Sequence, residues 1–210
     1  GIGDEMGLRG WGSLLKDPST AFRARFVSGS IPPSPYFRGP ILSVFTGDRW
    51  TNGVPDIPAK RFTGPVLHYE IEYEPNKTRA AYSLSAPDAT PPSVSIRPDG
   101  VFSFKTPPTN RISVKWRSRD PLFDPLSASA RSSLIFLPDG HAPKTKALAV
   151  RLRAESTSDR GFVDKALAHF SRKYVYTLSV DRIPKTADPT DHFVFNTRAG
   201  FCVHYSSAFA

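Results

Sequence analysis

Through the first two-thirds of the chain, apolar and polar residues alternate with a period of two. Between Thr20 and Val27, Phe22, Ala24 and Phe26 alternate with Arg23 and Arg25. Between Val66 and Glu74, Leu67, Tyr69, Ile71 and Tyr73 alternate with His68, Glu70, Glu72 and Glu74. Successive side chains of a strand point to opposite faces, so each segment predicts a strand with one wet face. Val94 to Ile96 and Phe102 to Phe104 flank Pro98-Asp99-Gly100 and read as a hairpin, with Pro fixing φ and Gly accepting positive φ at the turn. Ile112, Val114 and Trp116 continue the alternation, and Ile41 to Phe45 and Tyr82 to Ser85 read as further strands. Regularly spaced short strands with turn punctuation point to a β-sandwich-like domain or an open antiparallel sheet, with about six or more strands and no helix longer than about three turns before residue 138.

The period changes after Pro138-Asp139-Gly140. Pro143 opens a helix in which Leu148 and Leu152 fall at i,i+4. Phe162, Val163, Ala166, Leu167 and Phe170 form a second helical stripe, with Ser158 or Asp159 placed to cap it. Tyr174 to Leu178 reads as extended, Pro184 to Pro189 as a loop and Asp191 to Phe195 as a short apolar segment. Cys202, Tyr205, Ser206 and Phe209 share one face of a final helix. The fold class is therefore α+β, with a β-rich N-terminal domain over residues 1–138 and a helical region over 139–210.

Composition narrows the alternatives. The 210 residues include 21 Pro and 14 Gly, which favours many turns and excludes a helical bundle. No apolar run approaches the ~20 residues of a membrane span, and Gly1 to Gly10 lacks the regions of a secretory signal, so any targeting or anchoring element is expected outside this chain. The net charge of +9 divides into +5 over residues 1–138 and +4 over residues 139–210. A nucleic-acid footprint gathers charge on one element, so no nucleic-acid partner is expected. The single cysteine, Cys202, excludes an intrachain disulfide and a cysteine-built zinc site. The histidines lack metal-ligand spacing and no acidic cluster suggests calcium, so no metal is expected.

Candidate chemistry concentrates in Asn196 to Ala208. Gly200 ahead of a helix permits a sharp turn, and a cysteine in the first turn meets unpaired N–H groups and the positive end of the helix dipole. That setting favours the thiolate, the nucleophile of acyl transfer, and the same N–H groups suit a tetrahedral oxyanion. A lone cysteine among aromatic residues is more often a small buried hydrophobe. Tyr36, Phe37, Trp50 and Trp116 suit either a stacking surface for a sugar or peptide or the packed face of the strands.

The run Phe193 to Phe209, with Gly200-Phe201-Cys202-Val203-His204-Tyr205 at its centre, resembles the nucleophile segment of bacterial transglutaminase-like proteins anchored in the inner membrane with an extracytoplasmic catalytic domain. Phe136-Leu137-Pro138, Ala147-Leu148-Ala149, the helix ending at Phe170 and Tyr174 to Leu178 are similar to the family's lead-in. Tyr36 to Leu42, with Phe45 and Gly47 to Trp50, is similar to a motif of its β-rich region. Val203 stands where the family often has Glu, which removes a charge beside the nucleophile.

The resemblance implies that residues 139–210 are the N-terminal part of a papain-like transglutaminase core. It implies Cys202 as nucleophile, with Gly200, Phe201, His204 and Tyr205 shaping the site. It further implies a protein or peptide substrate carrying glutamine, an amine acceptor, a periplasmic location, and membrane attachment only through segments outside this chain. The family's general-base His and orienting Asp lie well downstream of the cysteine. Residues 1–210 alone are therefore expected to be inactive, with a second chain as one possible carrier of the missing core. On a helix His204 points about 200° away from its neighbour two residues back, which disfavours it as base. The competing expectation is a non-enzymatic periplasmic binding or scaffolding module with a buried, inert Cys202. Rapid alkylation near pH 6 separates the two.

Overall fold

The structure, a computed structural model, describes residues 5–7, 19–53, 60–84, 87–97, 100–123 and 125–210. In chain order the strands are β1 (Glu5–Gly7), β2 (Phe22–Ser28), β3 (Phe37–Arg38), β4 (Val44–Phe45), β5 (Arg49–Thr51), β6 (Lys60–Tyr73), β7 (Ser83–Leu84), β8 (Val94–Ile96), β9 (Phe102–Phe104) and β10 (Ile112–Phe123). Then come α1 (Ala128–Leu134), α2 (Pro143–Ala154), α3 (Asp159–Lys173), β11 (Val175–Tyr176), α4 (Pro189–Asp191), a π-helix (His192–Thr197), β12 (Ala199–Gly200) and α5 (Cys202–Phe209). These elements form two compact units. Among the described residues, the first draws on Glu5 and on 19–44 and 50–136, and the second on Met6 and Gly7 and on 45–49 and 137–210. The α+β class read from the sequence is the class observed.

The first unit is built on an antiparallel sheet in the order β10-β6-β2. Its register sets Phe26 and Trp116 opposite Tyr69, Ala24 and Val114 opposite Ile71, and Phe22 and Ile112 opposite Tyr73. That face is the core, closed by Leu84 of β7 and by the β8–β9 hairpin with Val94, Phe102 and Phe104. The other face is wet and charged, with Arg25 on Glu70 and both Arg23 and Arg111 on Glu74. Strand β6 starts earlier than the alternation predicts and runs through Gly64-Pro65. A register shift between Ser118 and Asp120 lies opposite, and Gly64 takes φ +71° there. A proline is tolerated inside a strand at such a bulge, where no ladder donor is needed.

Other expectations fare unevenly. The hairpin Val94–Ile96 with Phe102–Phe104 forms as read, while Pro98 and Asp99 of its turn, and Ser85, lie outside the described residues. So do Gly1 to Asp4 and Leu8 to Gly10 of the segment read for a signal sequence. The strand read over Ile41 to Phe45 shrinks to Val44–Phe45. Trp116 is fully buried and Phe37 packs against the core, so these two belong to the packed face and not to a stacking surface; Tyr36 is exposed. Helix α1, capped by Ser127, was not foreseen, because Ala130 is its one buried residue and no apolar stripe marks it.

In the second unit α2 begins at Pro143 as read, and α3 is capped by the Ser158 hydroxyl, which accepts the N–H of Gly161 at 3.0 Å. Leu148, Phe193 and Val194 form one buried cluster with Leu152, Phe170, Tyr174, Phe195, Tyr205 and Ala208 packed around it. Phe201 and Val203 form another, with Met6 and Val180. Among the described residues, no helix is long and apolar enough to cross a membrane.

Candidate active site

Cys202 is the first residue of α5. The chain arrives there through β12, whose parallel pairing with β11 is closed by the N–H of Val175 on the Arg198 carbonyl and that of Thr177 on the Gly200 carbonyl, both at 2.8 Å. Arg198 ends the π-helix in the left-handed region at φ +50°, donating its N–H to the Phe193 carbonyl at 2.9 Å. Gly200 passes close to the helix that follows. A Cβ there would lie 2.9 Å from Cβ and Cγ of His204 and 3.0 Å from Cε2 of Phe193. Phe201 then holds an extended backbone at the N-cap, where its side chain has no acceptor to offer.

His204 supplies what the N-cap lacks. Its Nδ1 accepts the backbone N–H of Phe201 at 3.4 Å, the part played by a glutamate three residues on in a capping box. The ring is buried against Phe201 and Phe193, at centroid distances of 4.5 and 5.5 Å. Burial pushes its pKa below the usual histidine range. An imidazole whose Nδ1 accepts a hydrogen bond is neutral and carries its proton on Nε2. His204 thus braces the backbone turn ahead of Cys202.

The rest of α5 sorts by face. Val203, His204 and Ser207 are buried, while Cys202, Ser206 and Phe209 are exposed. The exposed thiol differs from the buried, inert cysteine of the binding-module reading, because Val203 and His204 take the inward positions of the first turn. Tyr205, expected on the same face as Cys202, is half-buried instead. It packs among Phe170, Tyr174, Tyr176 and Phe193, with centroid distances of 5.1 to 6.2 Å. The N–H groups of Cys202 and Val203 open the helix and have no intrahelical acceptor, whereas His204 N–H reaches the Phe201 carbonyl at 2.9 Å. An exposed sulfur beside two free helix-start amides can serve as a nucleophile whose adduct oxygen is received by those amides.

Two carboxylates that the sequence reading passed over prove central to this unit. Ala142 precedes α2 in a left-handed conformation with no side-chain cap, and Pro143 has no N–H. Asp191 fills the gap, its Oδ2 accepting Lys144 N–H at 3.1 Å and its Oδ1 accepting Thr145 N–H at 2.8 Å and the Thr145 hydroxyl at 2.7 Å. Asp188 accepts Asp191 N–H at 2.9 Å through Oδ1; its Oδ2 accepts Ala142 N–H at 3.0 Å and lies 2.8 Å from Nδ1 of buried His141. The uncapped start of α2 was the available signal that a remote acid must complete it.

His169 Nε2 lies 3.1 Å from the Tyr174 hydroxyl, which donates to the Val194 carbonyl at 2.8 Å. Burial, with Lys173, Arg151 and Arg198 nearby, holds its pKa low. His68 is exposed on the wet face of β6, and His192 opens the π-helix with Nδ1 buried and unpartnered. Among the described residues no group of three His, Cys, Asp or Glu side chains is placed to hold a metal ion. An apolar cleft lined by Leu148, Leu152, Phe162, Phe170 and Phe209 does not include Cys202.

Comparison with known proteins places the chain. A curated Pseudomonas aeruginosa protein named protein-glutamine gamma-glutamyltransferase is 28% identical over 223 residues, a match that takes in all of this chain and 32% of that protein. The chain thus spans about a third of its relative's length. Two crystal structures of the periplasmic domain of TgpA from Pseudomonas aeruginosa, one bound to ethylmercury, superpose with TM-scores of 0.85 and 0.84 at 26% identity. They are matched over all of this chain and over 77% and 75% of theirs. The family described as TgpA N-terminal domain matches residues 1–125, well over half the chain, and this chain belongs to it, a homologue of the Pseudomonas TgpA transglutaminase periplasmic domain.

Proposed function

We propose that this chain is part of a periplasmic, papain-like transglutaminase of a membrane-anchored protein, with Cys202 as its nucleophile. The observation that carries the reading is an exposed thiol on the first residue of a helix, beside helix-start amides that have no intrahelical acceptor. The Cys202 thiolate attacks the carbonyl carbon of a glutamine side-chain carboxamide, and an S–C bond forms as the C=O electrons move to oxygen. The Cys202 and Val203 N–H groups receive that oxygen. Collapse breaks the C–N bond and releases ammonia, protonated by the histidine that the family carries downstream of the cysteine. A primary amine then displaces the thiolate from the thioester to give an isopeptide bond, or water does so to give glutamate, and the proton lost by the attacking group returns to that histidine.

Gly200 and Phe201 give the turn its close approach, and neutral His204 holds it from behind. Tyr205 anchors the helix in the aromatic cluster. No cofactor enters this chemistry.

The test is incorporation of a fluorescent primary amine into a glutamine-containing peptide. It is run with the 210-residue chain and with a longer protein that carries the downstream His and Asp. Incorporation by the longer protein that is lost in Cys202→Ala is the expected result, with none from the short chain. Turnover that persists in Cys202→Ala overturns the reading, and Cys202-dependent turnover by the short chain shows that one of its own residues is the base.

A further inference from the structure

Asp191 faces two ways. Its carboxylate takes the N–H groups of Lys144 and Thr145, the second and third helical residues of α2. Those are the orphan donors left when Pro143 has no N–H and Lys146 N–H already reaches the Ala142 carbonyl at 2.9 Å. Its backbone leads directly into the π-helix, and α4 packs against α5. Two residues on, Phe193 is buried against His204 and sets the closest side-chain approach to Gly200 outside α5. Asp191, itself buried, thus ties the start of α2 to the turn that presents the thiol. A helix cap drawn from the next turn of its own chain would complete α2 equally well. Drawing it instead from the segment before the cysteine couples the two.

We propose that Asp191 is a positioning residue for Cys202, its carboxylate fixing the α4 and π-helix segment from which the nucleophile's turn is carried. The inference rests on the reading of Cys202 as an activated nucleophile. It makes a prediction opposite in sign to simple electrostatics. Removing an anion should by itself favour a nearby thiolate and speed its alkylation, whereas loosening the turn moves sulfur away from the helix-start amides and slows it.

Because Cys202 is the one cysteine in the chain, iodoacetamide alkylation reads it alone. Rates are measured against pH for the native chain, the same chain in guanidinium, Asp191→Asn, Thr145→Val and Val114→Ala, with circular dichroism and thermal melting on each. The native chain should react faster near pH 6.5 than the unfolded one. Asp191→Asn should lose about tenfold in that rate and shift its profile to higher pH. Thr145→Val, which removes one hydrogen bond to the same carboxylate, should lose less in the same direction, and it decides the matter if Asp191→Asn does not fold. Val114→Ala, destabilising but in the sheet core of the first unit, should melt lower and keep the native profile. A folded Asp191→Asn with the native or a faster rate, or a native rate in Thr145→Val when Asp191→Asn is unfolded, overturns the positioning role and leaves a purely structural clamp. A native chain no faster than the unfolded one overturns the activated-nucleophile reading, and the positioning role with it.

Discussion

Phe201 and His204 hold each other across the turn that precedes the thiol. The Phe201 N–H donates to Nδ1 of His204 at 3.4 Å, and the His204 N–H donates to the Phe201 carbonyl at 2.9 Å. The first of these bonds exists only while Nδ1 is unprotonated. Burial, which disfavours the charged ring, acts in the same direction.

That pairing predicts a pH dependence of stability. His204 has a folded pKa below its ordinary value of 6.5, so the unfolded chain takes up the proton first as pH falls. The stabilisation is fully present above about pH 6.5 and is lost as pH falls toward the lower folded value. His204→Asn, whose Oδ1 can accept from Phe201 and does not titrate, should melt with a shallower pH dependence between about pH 7.5 and 5.5. His169, also held low by burial, leaves a residual slope that His169→Phe in the same background should remove. Parallel melting-temperature profiles for the parent and His204→Asn would count against this account.

Gly200→Ala is expected to cost about 1 to 3 kcal/mol by chemical denaturation. The added methyl meets His204 at 2.9 Å and Phe193 at 3.0 Å, and both rings are packed on their other sides. The same substitution at Gly140, where a Cβ meets nothing within 4 Å, separates crowding from backbone conformation. That glycine sits at φ +73°, so any loss there is conformational alone.

In the β unit, Tyr69→Phe removes one oxygen from a nearly water-free site. The Tyr69 hydroxyl accepts the Leu84 N–H at 3.0 Å and pairs with the Ser118 hydroxyl at 3.0 Å. Burial pushes the phenol up to about 12 against those two bonds. Phenylalanine leaves the buried partners unpaired, and the expected loss is about 1 to 3 kcal/mol by denaturant titration. The double variant with Ser118→Ala should lose less than the sum of the two singles, since each removes part of the same pair.

What the chain's pattern reveals depends on how many faces an element buries. Strands β2, β6 and β10 were legible because one face is packed and the other carries Arg23, Arg25, Glu70 and Glu74. Helix α3 was legible from its stripe and its Ser158 cap. Helix α1 was not, since Ala130 is its one inward residue. The π-helix hid inside Phe193-Val194-Phe195, where consecutive apolar residues carry no period to separate one helix type from another. The start of α5 at Cys202 followed from Gly200 and the spacing after it. Asp188 and Asp191 escaped because their partners at Ala142 and Thr145 lie 46 residues away, and sequence spacing marks local neighbours only.

The account stands on Cys202 forming the acyl intermediate. The direct measurement is intact-mass and peptide-mapping spectrometry of the longer, His- and Asp-bearing protein. It is mixed with excess glutamine peptide without an amine acceptor and quenched in acid to preserve a thioester. The predicted result is a peptide-sized increment, less one ammonia, on the fragment containing Cys202, discharged by hydroxylamine and absent from Cys202→Ala. Glutamine turnover with no adduct on Cys202, or an adduct that survives Cys202→Ala, would contradict it.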